Sequence, residues 1–207
     1  MTFRAPTIRD VIVVDSFYSS PETVRDTALR LRYYRAPGNV AAAQSRTPAF
    51  SRNVVNRFSE LVACDVYFNH AEANFGHFRV ELSSDQPRLL VHADREDWAA
   101  LIHLSLPACI RGGTALLRHR ATRLTGPPTD EEASSLGYAN AADFDDRVLL
   151  RDTLDVHAWD MIGFVPARFN RLLLLRGSIF YHAPWGQFGD SFQTGRLTQH
   201  FFFNELR

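Results

Sequence analysis

From His77 onward the chain is a succession of short apolar runs bounded by turn-forming residues, and this pattern restricts its fold more than any other feature. The runs are Phe78–Leu82, Leu89–His92, Ala99–Leu106, Thr114–His119, Leu172–Leu175, Ser178–His182 and Arg196–Phe203. They are rich in leucine, aromatic and β-branched side chains. Ser83-Ser84-Asp85, Arg111-Gly112-Gly113 and Arg176-Gly177 punctuate them. Runs this short, with such boundaries, read as strands rather than helices. Many short strands bury their apolar faces by stacking two sheets, which predicts a sandwich or jelly roll.

The first third of the chain reads differently. Val11–Tyr18 has the texture of a strand entering a turn. Ser19-Ser20-Pro21-Glu22 then offers a hydroxyl cap followed by proline in the first turn of a helix. That helix is predicted to run to about Tyr33, with Val24, Ala28 and Leu31 on its apolar face and Ala36-Pro37-Gly38 ending it. A second helix is predicted over Val54–Ala63. The expectation is one α+β, mainly β domain over residues 1–207. Residues 1–75 supply a strand and helices packed on one sheet, and residues 76–207 supply the strand-rich core. Arg120 to about Arg151 interrupts that core with little strand character, as lids and binding loops do, and as inert insertions also do.

Composition narrows the function classes. The chain has 207 residues, 45% hydrophobic and 22% charged, the balance of a soluble globular domain. No apolar run approaches the roughly 20 residues that cross a bilayer. Met1 to Val14 carries Arg4, Arg9 and Asp10 and lacks the apolar core of a secretion signal. The expectation is therefore a cytoplasmic protein. Twenty-three basic and 23 acidic residues give zero net charge, so neither nucleic acid nor a membrane surface is an expected partner. Every one of the basic residues is arginine. Schiff-base chemistry is thereby excluded, and the fixed guanidinium cations suit carboxylates. Cys64 and Cys109 lack metal-ligand spacing and read as two reduced thiols.

Three short patterns carry chemistry. His92-Ala93-Asp94 puts an imidazole and a carboxylate at i and i+2, on one face of an extended segment. They supply two corners of a facial metal triad. His182, at the end of Ser178–His182 and before Ala183-Pro184-Trp185, is the candidate third corner. Alone, each has a bland alternative, a surface pair or a hydrogen-bonded structural histidine. Arg196 opens the last strand, and alternation puts Thr198 on its face. A guanidinium beside a hydroxyl forms a carboxylate site. An ordinary surface ion pair is the alternative, but the strand is very apolar, so a buried charge there needs a partner.

His92-Ala93-Asp94, then His182, then Arg196-Leu197-Thr198 resembles the signature of the 2-oxoglutarate- and Fe(II)-dependent dioxygenases. The opening strand and Ser-Pro helix, and Gly112-Gly113-Thr114 before a core strand, are similar to the prolyl-hydroxylase-like branch. The resemblance is loose over the whole chain and closer over Leu90–Leu117 and Leu172–Asn204. It implies a double-stranded β-helix (jelly roll, cupin-like) and Fe(II) held by His92, Asp94 and His182. It also implies 2-oxoglutarate gripped by Arg196 and Thr198, with O2 as oxidant. Many relatives carry a tyrosine in the strand after the first metal motif; His103 stands there in this chain and is the expected further 2-oxoglutarate contact. Halogenating relatives lack the aspartate, so Asp94 favours hydroxylation or a related oxidation.

Substrate contacts are expected among Arg79, Arg118 and His119 on strands near the pocket mouth. Trp98 and Trp185 flank the metal motifs, and His200 shares a face with Arg196. For each, a solvated charge or a packed core ring is the competing reading. His70, His77 and His157 have no spacing argument. A small biosynthetic substrate, such as an amino acid derivative, is the expected partner. The alternatives are a non-catalytic cupin-like metal- or ligand-binding protein, and an interaction scaffold that uses the Arg120–Arg151 loop.

Overall fold

A computed structural model describes residues 7, 9–35, 42–69, 75–85 and 90–206. The expected helix stop at Ala36–Gly38, the start of the run at Leu89, and His70 lie outside these residues. Among them, no helix is long and apolar enough to cross a membrane.

The last strand organises everything else. It is β11 (Arg196–Glu205), and it is buried on both faces along most of its length. Its alternation divides the molecule. Leu197, Phe201 and Phe203 enter an apolar core, whereas Arg196, Thr198, His200 and Phe202 point the opposite way. On one side β11 pairs antiparallel with β6 (Trp98–His103), and on the other with β5 (His77–Glu81). The sheet continues outward through β9 (Arg171–Leu175) to β1 (Val11–Val14), and through β3 (Ala43–Ser45) to β2 (Tyr33–Arg35). The short β4 (Val66–Tyr67) also pairs with β11.

A smaller sheet faces this one, in the order β10 (His182–Trp185), β7 (Gly113–His119), β8 (Trp159–Pro166). Leu116 of β7 and the flanking Ile162 and Val165 pack against Leu173 and Leu175 of β9. The molecule is thus a sandwich of two antiparallel sheets. The larger sheet packs its other face on α1 (Pro21–Arg30) and α2 (Arg52–Val62), where Ala28 and Phe58 meet Phe78, Phe201 and Phe203. Pro21 stands in the first turn of α1, as expected. α2 stops where Ala63 turns left-handed, at φ 59°.

The structure departs from the expectations in several places. α1 ends at Arg30 and Tyr33 opens β2 instead, and residues 90–92 form no strand, only the isolated bridge at His92. Ser178–His182 is not one strand: a 3-10 turn covers Gly177–Ile179 and the strand begins only at His182. β8 was not anticipated, because Gly163 and a register shift opposite Leu116/Leu117 break its alternation. The strand-poor interruption is helical. It forms α3 (Asp130–Ser135), α4 (Ala141–Phe144), a π turn (Asp145–Leu149) and α5 (Leu150–Asp152). Thr129 and Glu132 form a reciprocal capping box on α3. Ala133, Phe144 and Val148 give this unit its own small core.

Phe58 is fully buried and stacks on Phe17 and Phe203. Phe58→Ala should destabilise the fold by about 3–5 kcal/mol, read as a lowered urea midpoint at unchanged slope.

Candidate metal centre and anion pocket

The backbone brings the metal motifs together. His92 and His182 exchange both backbone hydrogen bonds, at 3.0 and 2.8 Å, in an isolated antiparallel bridge beside β10. Their rings consequently lie 4.5 Å apart. Asp94 is tied by its N–H to the Gly177 carbonyl. One ligand atom from each of His92, Asp94 and His182 falls within a 4.8 Å group, the arrangement that could hold a metal ion.

The tautomers of both histidines follow from their partners. His92 Nδ1 lies 3.0 Å from the Leu90 carbonyl, and His182 Nδ1 lies 2.9 Å from the Phe180 carbonyl. A carbonyl only accepts, so each Nδ1 carries a proton, and in the neutral ring Nε2 keeps its lone pair. His182 Nε2 stands 3.3 Å from Asp94 Oδ2, and His92 Nε2 stands 3.6 Å from Asp94 Oδ1. Oδ2 is buried and receives no properly directed hydrogen bond among the described residues. Lone pairs facing a carboxylate at this distance repel unless a cation lies between them. The donor set therefore fits a divalent metal bound through two imidazole nitrogens and one carboxylate. Nδ1–carbonyl hydrogen bonds are the usual outer support of such ligands.

The electrostatics of the two histidines differ. Burial, helped by the neighbouring His182, pushes His92 down to about 4, so its imidazole is neutral. For His182 burial acts downward, but the Asp94 carboxylate outweighs it and the net shift is upward. Asp94 itself is held below the usual range, because the two histidines and Arg79 together overcome its burial.

The inner face of β11 forms the second part of the site. Arg196 pairs across the strands with Glu81, Nη1 to Oε2 at 2.8 Å, with both side chains almost fully buried. Its Nε and Nη2 have no hydrogen-bond partner among the described residues. Thr198 lies opposite Arg79 on one side and His103 on the other. Its hydroxyl meets His200 Nε2 at 2.7 Å. His103 Nε2 and His200 Nδ1 are buried and unpartnered among the described residues. Burial, followed by the positive charge of Arg196, lowers His103 to about 3. His200 is likewise driven well below its ordinary value by burial, then by Arg79 and Arg196. The Arg79 Nε donates to Gln44, and its guanidinium lies over the Phe202 ring.

The structure thus brings Arg196, Thr198, His103, Arg79 and His200 onto one inner face. Three other expected substrate contacts lie elsewhere. Trp98 is on the opposite face of β6, in the helix-side core, with its N–H on Glu205 and Arg176 over its ring. The alternation that turns Ala99 inward turns Trp98 away. His119 contacts Thr122 and Asp152 and packs on Trp159. Arg118, by contrast, shares the face of β7 with Leu116, toward the large sheet, and pairs with Asp160 at 2.8 Å. Trp185 packs in the cluster of Val91, Ala183 and Trp159, behind the small sheet.

Sequence reasoning missed two residues. Glu81 is recognisable only once the β5–β11 register is known. Gly177 appeared as turn punctuation, yet a Cβ there would fall 2.0 Å from Asp94 Oδ2.

The fold and site define a two-sheet antiparallel sandwich carrying a His/Asp/His group and a buried arginine on its inner surfaces. The chain belongs to a family of unknown function, DUF6445, whose model matches residues 5–203. No curated protein matches it. Among solved structures it is similar to HygX from Streptomyces hygroscopicus with nickel and 2-oxoglutarate bound, at 16% identity and TM-score 0.45, covering 96% of this chain and 85% of that one. It is also similar to IDO from Bacillus thuringiensis, at 10% identity and TM-score 0.46, covering 100% and 99%. A third is the Fe(II)/(alpha)ketoglutarate-dependent dioxygenase TqaL, at 11% identity and TM-score 0.44, covering 95% and 82%.

Gly177→Ala should weaken divalent-metal binding by about 10- to 100-fold through displacement of Asp94, checked by metal titration with circular dichroism as the folding control. His103 and His200 are neutral when folded but ordinary histidines, near 6.5, when unfolded. Below that pH the unfolded chain takes up protons that the folded one does not. Stability should therefore fall from about pH 6.5 downward, by up to ~1.4 kcal/mol per pH unit for each of the two. Urea melts at pH 7, 6 and 5 will measure this, and His103→Gln should reduce the slope.

Proposed function

We propose that this chain is a non-haem Fe(II)- and 2-oxoglutarate-dependent dioxygenase, built on a double-stranded β-helix. The observation that carries the reading is the pairing of two features in one interior. A His/Asp/His group lies there with facing lone pairs, and so does a buried arginine with one whole edge unpartnered. A plain metal-binding barrel has no use for the second feature.

In this reading His92, Asp94 and His182 hold the iron. When bound, the iron supplies the chemistry by which O2 oxidises 2-oxoglutarate and an unactivated C–H bond of the substrate. The chain's residues bind and orient. The Nε–Nη2 edge of Arg196 offers two parallel donors to the distal carboxylate of 2-oxoglutarate. Thr198 and the neutral His103 and His200 line the space toward the metal and accept or donate single hydrogen bonds without adding charge. The sheets exclude water around Arg196, Thr198 and His200, which are buried. Arg79, on the same inner face, is the favoured contact for an anionic group of a small substrate such as an amino acid derivative.

Anaerobic addition of Fe(II) and then 2-oxoglutarate should produce the visible charge-transfer band of a chelated complex. His92→Ala should abolish it. Arg196→Ala should retain it but need about 10- to 100-fold more 2-oxoglutarate, as loss of a charge-assisted bidentate contact implies. A folded, iron-loaded protein without the band would instead be a binding barrel with no turnover.

A further inference from the structure

Arg196 is the most deeply buried arginine of the inner face, and Glu81 is the group that fixes it. The two residues are direct cross-strand partners, and each is at most 3% exposed. Glu81 takes only Nη1. The edge left over, Nε with Nη2, is the one whose two N–H groups run parallel and match a carboxylate. The charge balance matters as much as the geometry. A buried guanidinium without a counter-ion would draw any small anion from the medium. With Glu81 beside it the pair is formally neutral, and an entering anion meets the Glu81 charge across the width of one guanidinium. At low dielectric that repulsion is large. Only an anion that also gains a second anchor in the interior would remain. Of the other inner-face arginines, Arg171 is held by Asp15 in a two-pronged ion pair, and Arg79 donates its Nε to Gln44 and shares the charge of Glu81.

We infer that Glu81 is a specificity-determining and positioning residue: it holds the Nε–Nη2 edge of Arg196 toward the interior and makes the pocket reject anions that lack a second anchor. This rests on the reading of Arg196 as the grip for 2-oxoglutarate. It predicts that a doubly anchored dicarboxylate is taken while inorganic anions of similar charge are refused.

The test uses the full chain and sulfate as probe. Thermal melts of the metal-free protein in sodium sulfate are compared with melts in sodium chloride of equal ionic strength. The wild type should show only the gradual, non-saturating rise of a kosmotropic salt. Glu81→Gln keeps the shape and an oxygen that can accept from Nη1, and it should acquire a saturable shift that vanishes in Glu81→Gln/Arg196→Gln. On Zn(II)-loaded protein, calorimetry should find 2-oxoglutarate affinity insensitive to sulfate in the wild type. In the variant it should be weakened by about tenfold or more, the scale of one uncompensated buried charge. Should Glu81→Gln fail to fold, Glu81→Ala takes its place in both arms. A folded variant that melts lower but ignores sulfate would overturn the inference and leave Glu81 as structural glue. A wild type that binds sulfate as tightly as the variant would overturn it too. Failure of the underlying reading is seen separately, as absence of the Fe(II)–2-oxoglutarate band and of 2-oxoglutarate binding to the Zn(II) form, while the sulfate melts still report on Glu81.

Discussion

Two histidines commit their Nδ1 protons to carbonyls two residues upstream, and from that one choice the rest of the site follows. The rings cannot turn to relieve the crowding of Nε2 lone pairs against Asp94, because turning would break a buried hydrogen bond. Their backbones cannot separate, because His92 and His182 are paired to each other. Nor can Asp94 withdraw easily, with its N–H on Gly177 and its carboxylate against the bare Cα of that glycine. The repulsion is therefore built into the backbone. It is answered either by a proton on His182, in line with its upward shift, or by a metal ion. Rigid convergence of this kind lowers the reorganisation that metal binding would otherwise cost.

The large sheet carries the opposite tension. It is buried on both faces, and a strand so placed is expected to be apolar throughout. The helix side meets that expectation with leucine and phenylalanine. The inner side holds Leu173 and Leu175 over part of β9, but along β5 and β11 and at the His103 and Arg171 ends of β6 and β9 it holds arginines, a glutamate, a threonine and histidines. Burying these groups is unfavourable unless each finds a partner. Most do: Arg171 has Asp15, Arg79 has Gln44, and Thr198 has His200. The remainder, Arg196 Nε and Nη2, His103 Nε2 and His200 Nδ1, lie on one face and two adjacent strands. Unsatisfied groups scattered through a core mark poor packing. A set gathered on one surface marks a place where a polar ligand completes the hydrogen bonding.

The legible parts of this molecule are those fixed by short-range pattern. Pro21 marked the first helix, and the apolar runs marked β5, β6, β7, β9 and β11 to within a few residues. The i, i+2 spacing put His92 and Asp94 on one side, and alternation put Arg196, Thr198 and His200 on another. What was hidden depends on partners far along the chain. Glu81 acquires its role from a residue more than a hundred positions away. Trp98 reads as a neighbour of the metal motif, but strand parity sends it into the helix-side core. His119 reads as a pocket residue until Asp152, at the end of the insertion, claims it, whereas Arg118 keeps the interior face that parity gives it but is paired with Asp160. The insertion itself has too few residues per helix for a periodic signal, so its capping box and π turn were invisible as a unit.

The insertion packs against the back of the small sheet. Its residues feed Leu149 into the cluster of Val91, Trp159, Tyr181 and Ala183. These side chains lie behind the small sheet, on the face opposite the one that meets Leu173 and Leu175. The helical unit therefore braces β10 and the His92 bridge from outside. Thr153 ties the two together directly, with its hydroxyl on the Val91 carbonyl and the Leu90 N–H on that same hydroxyl. The carbonyl that fixes the His92 tautomer belongs to Leu90. The segment, legible in the sequence only as a lid, a binding loop or an inert insertion, thus packs against the backbone that aims His92.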